Sequence, residues 1–141
     1  MTVCLEDPEG LLPFGTARLE RLSRRVLEGN RSSPLEVAVV FVGDDFIADL
    51  NRRFLGREGP TDVLAFDLET TPPCSVASGE VYVSVERARE QANAYGVSLE
   101  EEVSRLVVHG LLHLSGCDDK TAADRRSMHK KTEAYLGSAP E

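Results

Sequence analysis

The stretch from Ser98 to Gly116 constrains this chain most. Ser98 followed by Glu101 is a capping box, in which the serine hydroxyl and the glutamate carboxylate satisfy each other's free backbone N–H groups. The helix it opens carries Leu99, Val103, Leu106, Val107, Leu111 and Leu114 on broad apolar faces, and Gly116 stops it. A helix this apolar has to be covered on several sides, so it belongs at the centre of a fold. The longest purely apolar run, Val37 to Val42, is six residues, far short of the roughly 20 that a membrane-spanning helix needs. Burial is therefore expected within the protein itself.

What surrounds that helix reads as helix and strand mixed. Thr16 to Glu28 has Leu19, Leu22, Val26 and Leu27 at helical spacing, ending near Gly29 and Asn30. Leu35 to Val42 is valine-rich and stops at Gly43-Asp44-Asp45, as a buried strand does. Asp44 or Asp45 is expected to cap a short helix through Phe54, with Phe46, Ile47, Leu50 and Phe54 on its inner face. Val63 to Phe66 and Val81 to Val85 are short strands on either side of a proline-containing loop, Thr70 to Ser78. Glu86 to Tyr95 is helical and closed by Gly96, and a last helix runs from Thr121 to Leu136. Too few strands are present for a doubly wound sheet. The expectation is one α+β domain over residues 1–141: a small mixed sheet packed with helices, the central buried one carrying the histidines.

The same helix carries the chemistry. Positions four apart project about 40° from each other on an α-helix, so His109 and His113 share a face. Gly116 permits a sharp reversal, after which Asp119 can swing back beneath the pair as a hard oxygen ligand. The spacing H-x3-H-x2-G-x2-D thus offers three ligands and leaves a fourth position open, the pattern of a catalytic metal site. A lone histidine on an apolar helix is usually a packed core residue, but two at this spacing before a glycine and two aspartates point to a metal. His129, on a basic helix, reads as exposed. Gly110 stands where H-E-x-x-H peptidases carry their glutamate base, which disfavours peptide hydrolysis and leaves room beside the ion.

Charge bears on the partner. Sixteen Lys and Arg against 24 Asp and Glu give a net charge of −8, which argues against a chain that coats nucleic acid non-specifically. The cations are nevertheless gathered: Arg52, Arg53 and Arg57 in one segment, Lys120, Arg125, Arg126, Lys130 and Lys131 in another. The first residues have neither a basic flank nor an apolar stretch, so no secretory signal is expected. Cys4, Cys74 and Cys117 are too scattered for a disulfide framework, and the cytoplasm is the default compartment.

These residues resemble the YbeY family, metal-dependent endoribonucleases of ribosomal RNA maturation, whose signature is H-G-x-L-H-L-x-G-Y-D-H. The matching residues run from His109 to Gly116, followed by Cys117-Asp118-Asp119. Pro60-Thr61-Asp62-Val63-Leu64-Ala65-Phe66 is similar to the family's P-T-D-V-L-S-F, Gly79 to Ser84 to its G-D-I-x-I-S, and Leu50-Asn51 to its L-N. Three positions depart: Asp119 replaces the third histidine, Cys117 the tyrosine, and Leu55 the arginine of Y-R-G.

The resemblance implies one divalent ion, zinc first, on His109, His113 and Asp119. It also implies single-stranded ribosomal RNA as substrate, with the small ribosomal subunit or its associated proteins as partners, and no membrane. Arg57 or Arg53 would take over the missing arginine's role, Arg57 being the one assigned. Asp118 is assigned to the reaction too, as proton acceptor or as hydrogen-bond partner of a histidine. A carboxylate in place of an imidazole lowers the site's positive charge, and it admits manganese or iron more readily than three histidines do. Two other readings share these side chains. One is a different metal hydrolase or a two-histidine, one-carboxylate iron enzyme. The other is a non-catalytic ribosome-assembly factor with a structural metal, its fourth position filled by Cys117.

Overall fold

The computed structural model describes residues 1–68, 77–117 and 119–137. The elements in chain order are β1 (Thr2–Glu6), α1 (Ala17–Asn30), β2 (Leu35–Val42), α2 (Asp44–Leu55), β3 (Val63–Leu68), β4 (Ala77–Ser84), α3 (Val85–Tyr95), α4 (Leu99–Leu114) and α5 (Ala122–Gly137). The four strands form one mixed sheet in the order β1-β2-β4-β3. β1 and β4 run parallel to β2, while β3 is antiparallel to β4. The fold is α+β, and no helix among the described residues is long and apolar enough to cross a membrane.

Strand alternation decides which face carries the core. Leu35, Val37, Val39 and Phe41 of β2 and Val81 and Val83 of β4 are buried on one face, where Val63 and Ala65 of β3 join them. Against this face lies α4, which also touches α1, α3 and α5 and is the most enclosed helix. Its Val103, Val107, Val108, Leu111 and Leu112 are fully buried. Gly110 marks the closest crossing. A Cβ there would stand 2.6 Å from Val81 Cγ1 and 3.3 Å from Val63 Cγ2. The room that the sequence reading assigned beside the ion is therefore used up by the sheet, and the residue is small because helix and strands meet there.

Three local expectations need correcting. Five residues at the start form a strand that the sequence reading did not include; β1 holds Val3 against the core through its pairing with β2. Neither Asp44 nor Asp45 caps α2: Gly43 precedes the helix without a side-chain bond. The Asp44 N–H instead donates to Glu86 Oε1 at 2.8 Å, and Ser84 Oγ donates to Asp44 Oδ1 at 2.6 Å. Phe46 and Phe54 do not face inward either, for both are more than half exposed. α2 lies on the outer face of the sheet, where Ile47 meets Val42 and Leu64 in a small second core. At its margin Phe46 stacks on Tyr82, and Phe54 meets Phe66 edge-on. The loop expected from Thr70 lies largely outside the described residues, and β4 has begun by Ala77.

Candidate metal centre

The end of α4 builds the site. Ser98 Oγ accepts from the Glu101 N–H at the helix start, as expected, while the Glu101 carboxylate goes to Arg105. At the far end Cys117 N–H reaches Leu112 O at 3.0 Å and Gly116 N–H reaches His113 O at 3.1 Å. This is a Schellman closure, and it needs Gly116 at its φ of 95°. The chain reverses there and brings Asp119 back under the helix.

His109 Nε2 lies 3.1 Å from His113 Nε2. Asp119 Oδ2 lies 3.4 Å from His113 Nε2 and 3.9 Å from His109 Nε2. One ligand atom from each of the three residues falls within 4.8 Å of the others. Metal–nitrogen bonds of about 2.0–2.1 Å in a tetrahedron set ligand atoms about 3.3–3.4 Å apart, so the trio fits a single small divalent ion. Burial pushes the His109 imidazole below its usual range, the neighbouring His113 adds to this, and Asp62 and Asp119 pull the other way. A neutral imidazole is the form that ligates. All three ligands are only partly buried, which leaves a side of the trio open to solvent. The α4 C-terminus, with its partial negative charge, adds a modest attraction for a cation.

Two cavities meet at this trio, sharing Asp62, His109 and Asp119. One, of about 700 Å³, runs along the end of α2 and β3 and is lined by Leu55, Arg57, Thr61 and His113 among others. The other, of about 590 Å³, lies among α3, α4 and α5.

The residues singled out in the sequence separate accordingly. Arg57 is exposed and lines the same cavity as the trio and as Leu55, the position where a family arginine is expected. Arg53 sits elsewhere on α2, paired with Asp49 at 3.4 Å, and Arg52 binds the same carboxylate at 2.6 Å. Asp118 lies outside the described residues. Cys117 Sγ lies 3.7 Å from Lys131 Nζ and is not one of the clustered ligands. His129 is exposed, as expected, but it borders the second cavity. Of the later cations, Arg125 wraps the ligand loop by donating to the carbonyls of Asp119 and Lys120.

The sequence suggests that the Thr61-Asp62 turn shapes the floor of a cleft, and it assigns Gln91 no role. Gln91 Nε2 donates to Asp62 Oδ2 at 3.3 Å, while the Asp62 carbonyl accepts from Ser84 N–H at 2.9 Å. Asp62 lines both cavities together with His109 and favours that histidine's charged form. Its one signal was the Thr61-Asp62 turn.

An α+β domain whose central helix ends in two histidines and a returning carboxylate has the form of a metal-site protein with an open cleft. Comparison with known proteins gives the family. Residues 12–139 match the family described as Endoribonuclease YbeY, and the chain belongs to it. It is 38% identical over 128 residues to an Endoribonuclease YbeY of Pelotomaculum thermopropionicum, covering 86% of this chain and 84% of the relative. It is 36% identical over 152 residues to that of Symbiobacterium thermophilum, covering 96% of both. The solution structure of TM1509 from Thermotoga maritima superposes with a TM-score of 0.63 at 27% identity, covering 96% of this chain and 87% of that one.

Proposed function

We propose that this chain is a metal-dependent endoribonuclease that cleaves single-stranded RNA in ribosomal RNA maturation, in the cytoplasm, with zinc on His109, His113 and Asp119. The observation that carries the reading is the convergence of three ligand atoms within 4.8 Å at the junction of two cavities, in a member of this family. A divalent ion supplies Lewis-acid polarisation of a phosphate oxygen.

The chain's own residues do the rest. His109 and His113 are held in place by the buried helix beneath them, and Asp119 is held by the Gly116 reversal. Arg57 lines the cavity on one side of the trio and supplies a fixed positive charge for the strand's phosphate. Asp118, next to the third ligand in sequence, is proposed as the proton acceptor. Engagement of Cys117 with Lys131 favours an open fourth position, and with it the catalytic reading over a purely structural ion. The ribosomal small subunit and its proteins are the proposed context, which would supply the specificity that a chain of net charge −8 does not get from its overall field.

The test is metal analysis of the purified protein, paired with cleavage of single-stranded and double-stranded RNA before and after chelation. Chelator-sensitive cleavage of single strands, restored by one equivalent of zinc, is expected. Cleavage that persists without metal, or that requires dioxygen, would sink the proposal.

A further inference from the structure

The cavity among α3, α4 and α5 has a chemistry of its own. Val97, Leu106 and Met128 give it apolar surface. Tyr95, the last residue of α3 before the left-handed Gly96, contributes a ring from a side chain that is 67% exposed. Carboxylates stand among these groups: Glu102, which is only 2% exposed, Glu133, and the shared Asp62 and Asp119.

The two arginines that line it are already committed, and His129 borders it as well. Arg105 donates from Nε and Nη2 to Glu133 at 2.8 and 3.0 Å, and from Nη1 to Glu102 at 3.0 Å. Its Nη2 also meets Glu101 at 3.1 Å. Arg125 is turned to backbone carbonyls. Gln91 gives an amide N–H to Asp62, so its Oε1 remains to accept.

Hydrogen-bond acceptors are thus in excess on the wall away from the ion. Away from the ion, on the side of Glu102 and Glu133, such a wall disfavours a phosphate. It suits a flat, neutral, partly apolar group that can stack on an aromatic ring and present N–H donors at its edge. On the RNA-cleaving reading, on which this step rests, the group of that description beside a phosphate at the ion is a nucleobase.

We infer that the cavity is a base-binding subsite: one base of the RNA strand enters it, stacks on Tyr95, and donates to the acceptors of Gln91 and Glu102. Guanine, whose pairing edge sets an imino and an amino donor side by side, fits this acceptor-rich wall better than adenine, cytosine or uracil. Tyr95 and Gln91 then determine specificity.

The experiment titrates the zinc-loaded protein separately with the 5′-monophosphates of guanosine, adenosine, cytidine and uridine, following the methyl resonances of Leu106 and Met128. Guanosine monophosphate should shift both methyls and bind on the order of tenfold more tightly than uridine monophosphate. Tyr95→Ala should weaken it by about tenfold, the scale of a lost base–aromatic stack, whereas Tyr95→Phe should not. Gln91→Leu should level guanosine with adenosine. Tyr95 is exposed, so its variants test the site without threatening the fold. The subsite is overturned if no nucleotide shifts these methyls, or if all four bind alike in wild type and Tyr95→Ala. RNA cleavage by the same preparations separates the two readings. Selective nucleotide binding without cleavage keeps the subsite and removes the nuclease; cleavage with indifferent nucleotide binding does the reverse.

Discussion

On the metal-site reading, alanine at position 113 removes one of three candidate ligand atoms and leaves two. After dialysis His113→Ala should retain almost no metal, by elemental analysis, while the wild type keeps close to one equivalent. Asp119→His restores a third imidazole and should keep the ion. Loss of the carboxylate's charge makes deprotonation at the site easier, so the acid limb of the activity profile should move to lower pH. An upward shift would count against that assignment. Between the arginines, position decides. Arg57→Ala should weaken binding of single strands severalfold with metal content intact, whereas Arg53→Ala, paired with Asp49 on the outside of α2, should change little. The histidine pair and its aspartate were legible because one helix and one glycine turn contain them. Gln91 and Tyr95 were not, since both reach the site from α3 and neither carries a local motif, while Asp62 comes from the turn before β3.

Among the elements, α4 is the one whose sequence states its role most fully. Its apolar faces, start and stop all agree with the structure, and the reason is that each is a short-range property. The crossing at Gly110 is not short-range. Gly110→Ala should destabilise the protein by about 1–3 kcal/mol in urea unfolding, the usual cost of forcing a methyl into a packed core, here against Val81 and Val63. Metal content of the folded fraction should be unchanged. An unaltered unfolding midpoint would show that helix and sheet can part at this point. Short-range signals in the sequence fall short where elements meet. β1 depends on a parallel partner more than thirty residues away, so its five residues show little by themselves. α2 has an apolar side that suggests burial, but only Ile47 is fully buried and Leu50 packs beside it partly buried, because a single helix covers that face of the sheet.

For the whole molecule, the acidic balance limits how RNA can be held. Each phosphate contact on a single strand contributes about −0.7 to the slope of log affinity against log salt. With Arg57 the only arginine or lysine lining the larger cavity among the described residues, a shallow slope is expected, reduced by about that amount in Arg57→Ala. A steep slope retained in the variant would place the RNA elsewhere. A bound ion should also brace the fold, since its candidate ligands join the end of α4 to the loop before α5. Chelation should lower the melting temperature, by the equivalent of about 2.7 kcal/mol where free metal had stood at a hundred times its dissociation constant.

The strand order has a temporal consequence. Leu35 pairs with Ala77 and Val42 with Ser84, so the centre of the sheet joins segments made far apart in time on the ribosome. Until β4 has emerged, β3 has no neighbour, and only β1 and β2 can pair. The buried helix is synthesised later still, its ligand loop after that, and α5 last. A nascent chain therefore carries an unfinished sheet until β4 is made, exposed to pairing with other chains. On the metal-site reading, capture of an ion needs both α4 and the loop after it, so uptake of metal during refolding would report their assembly.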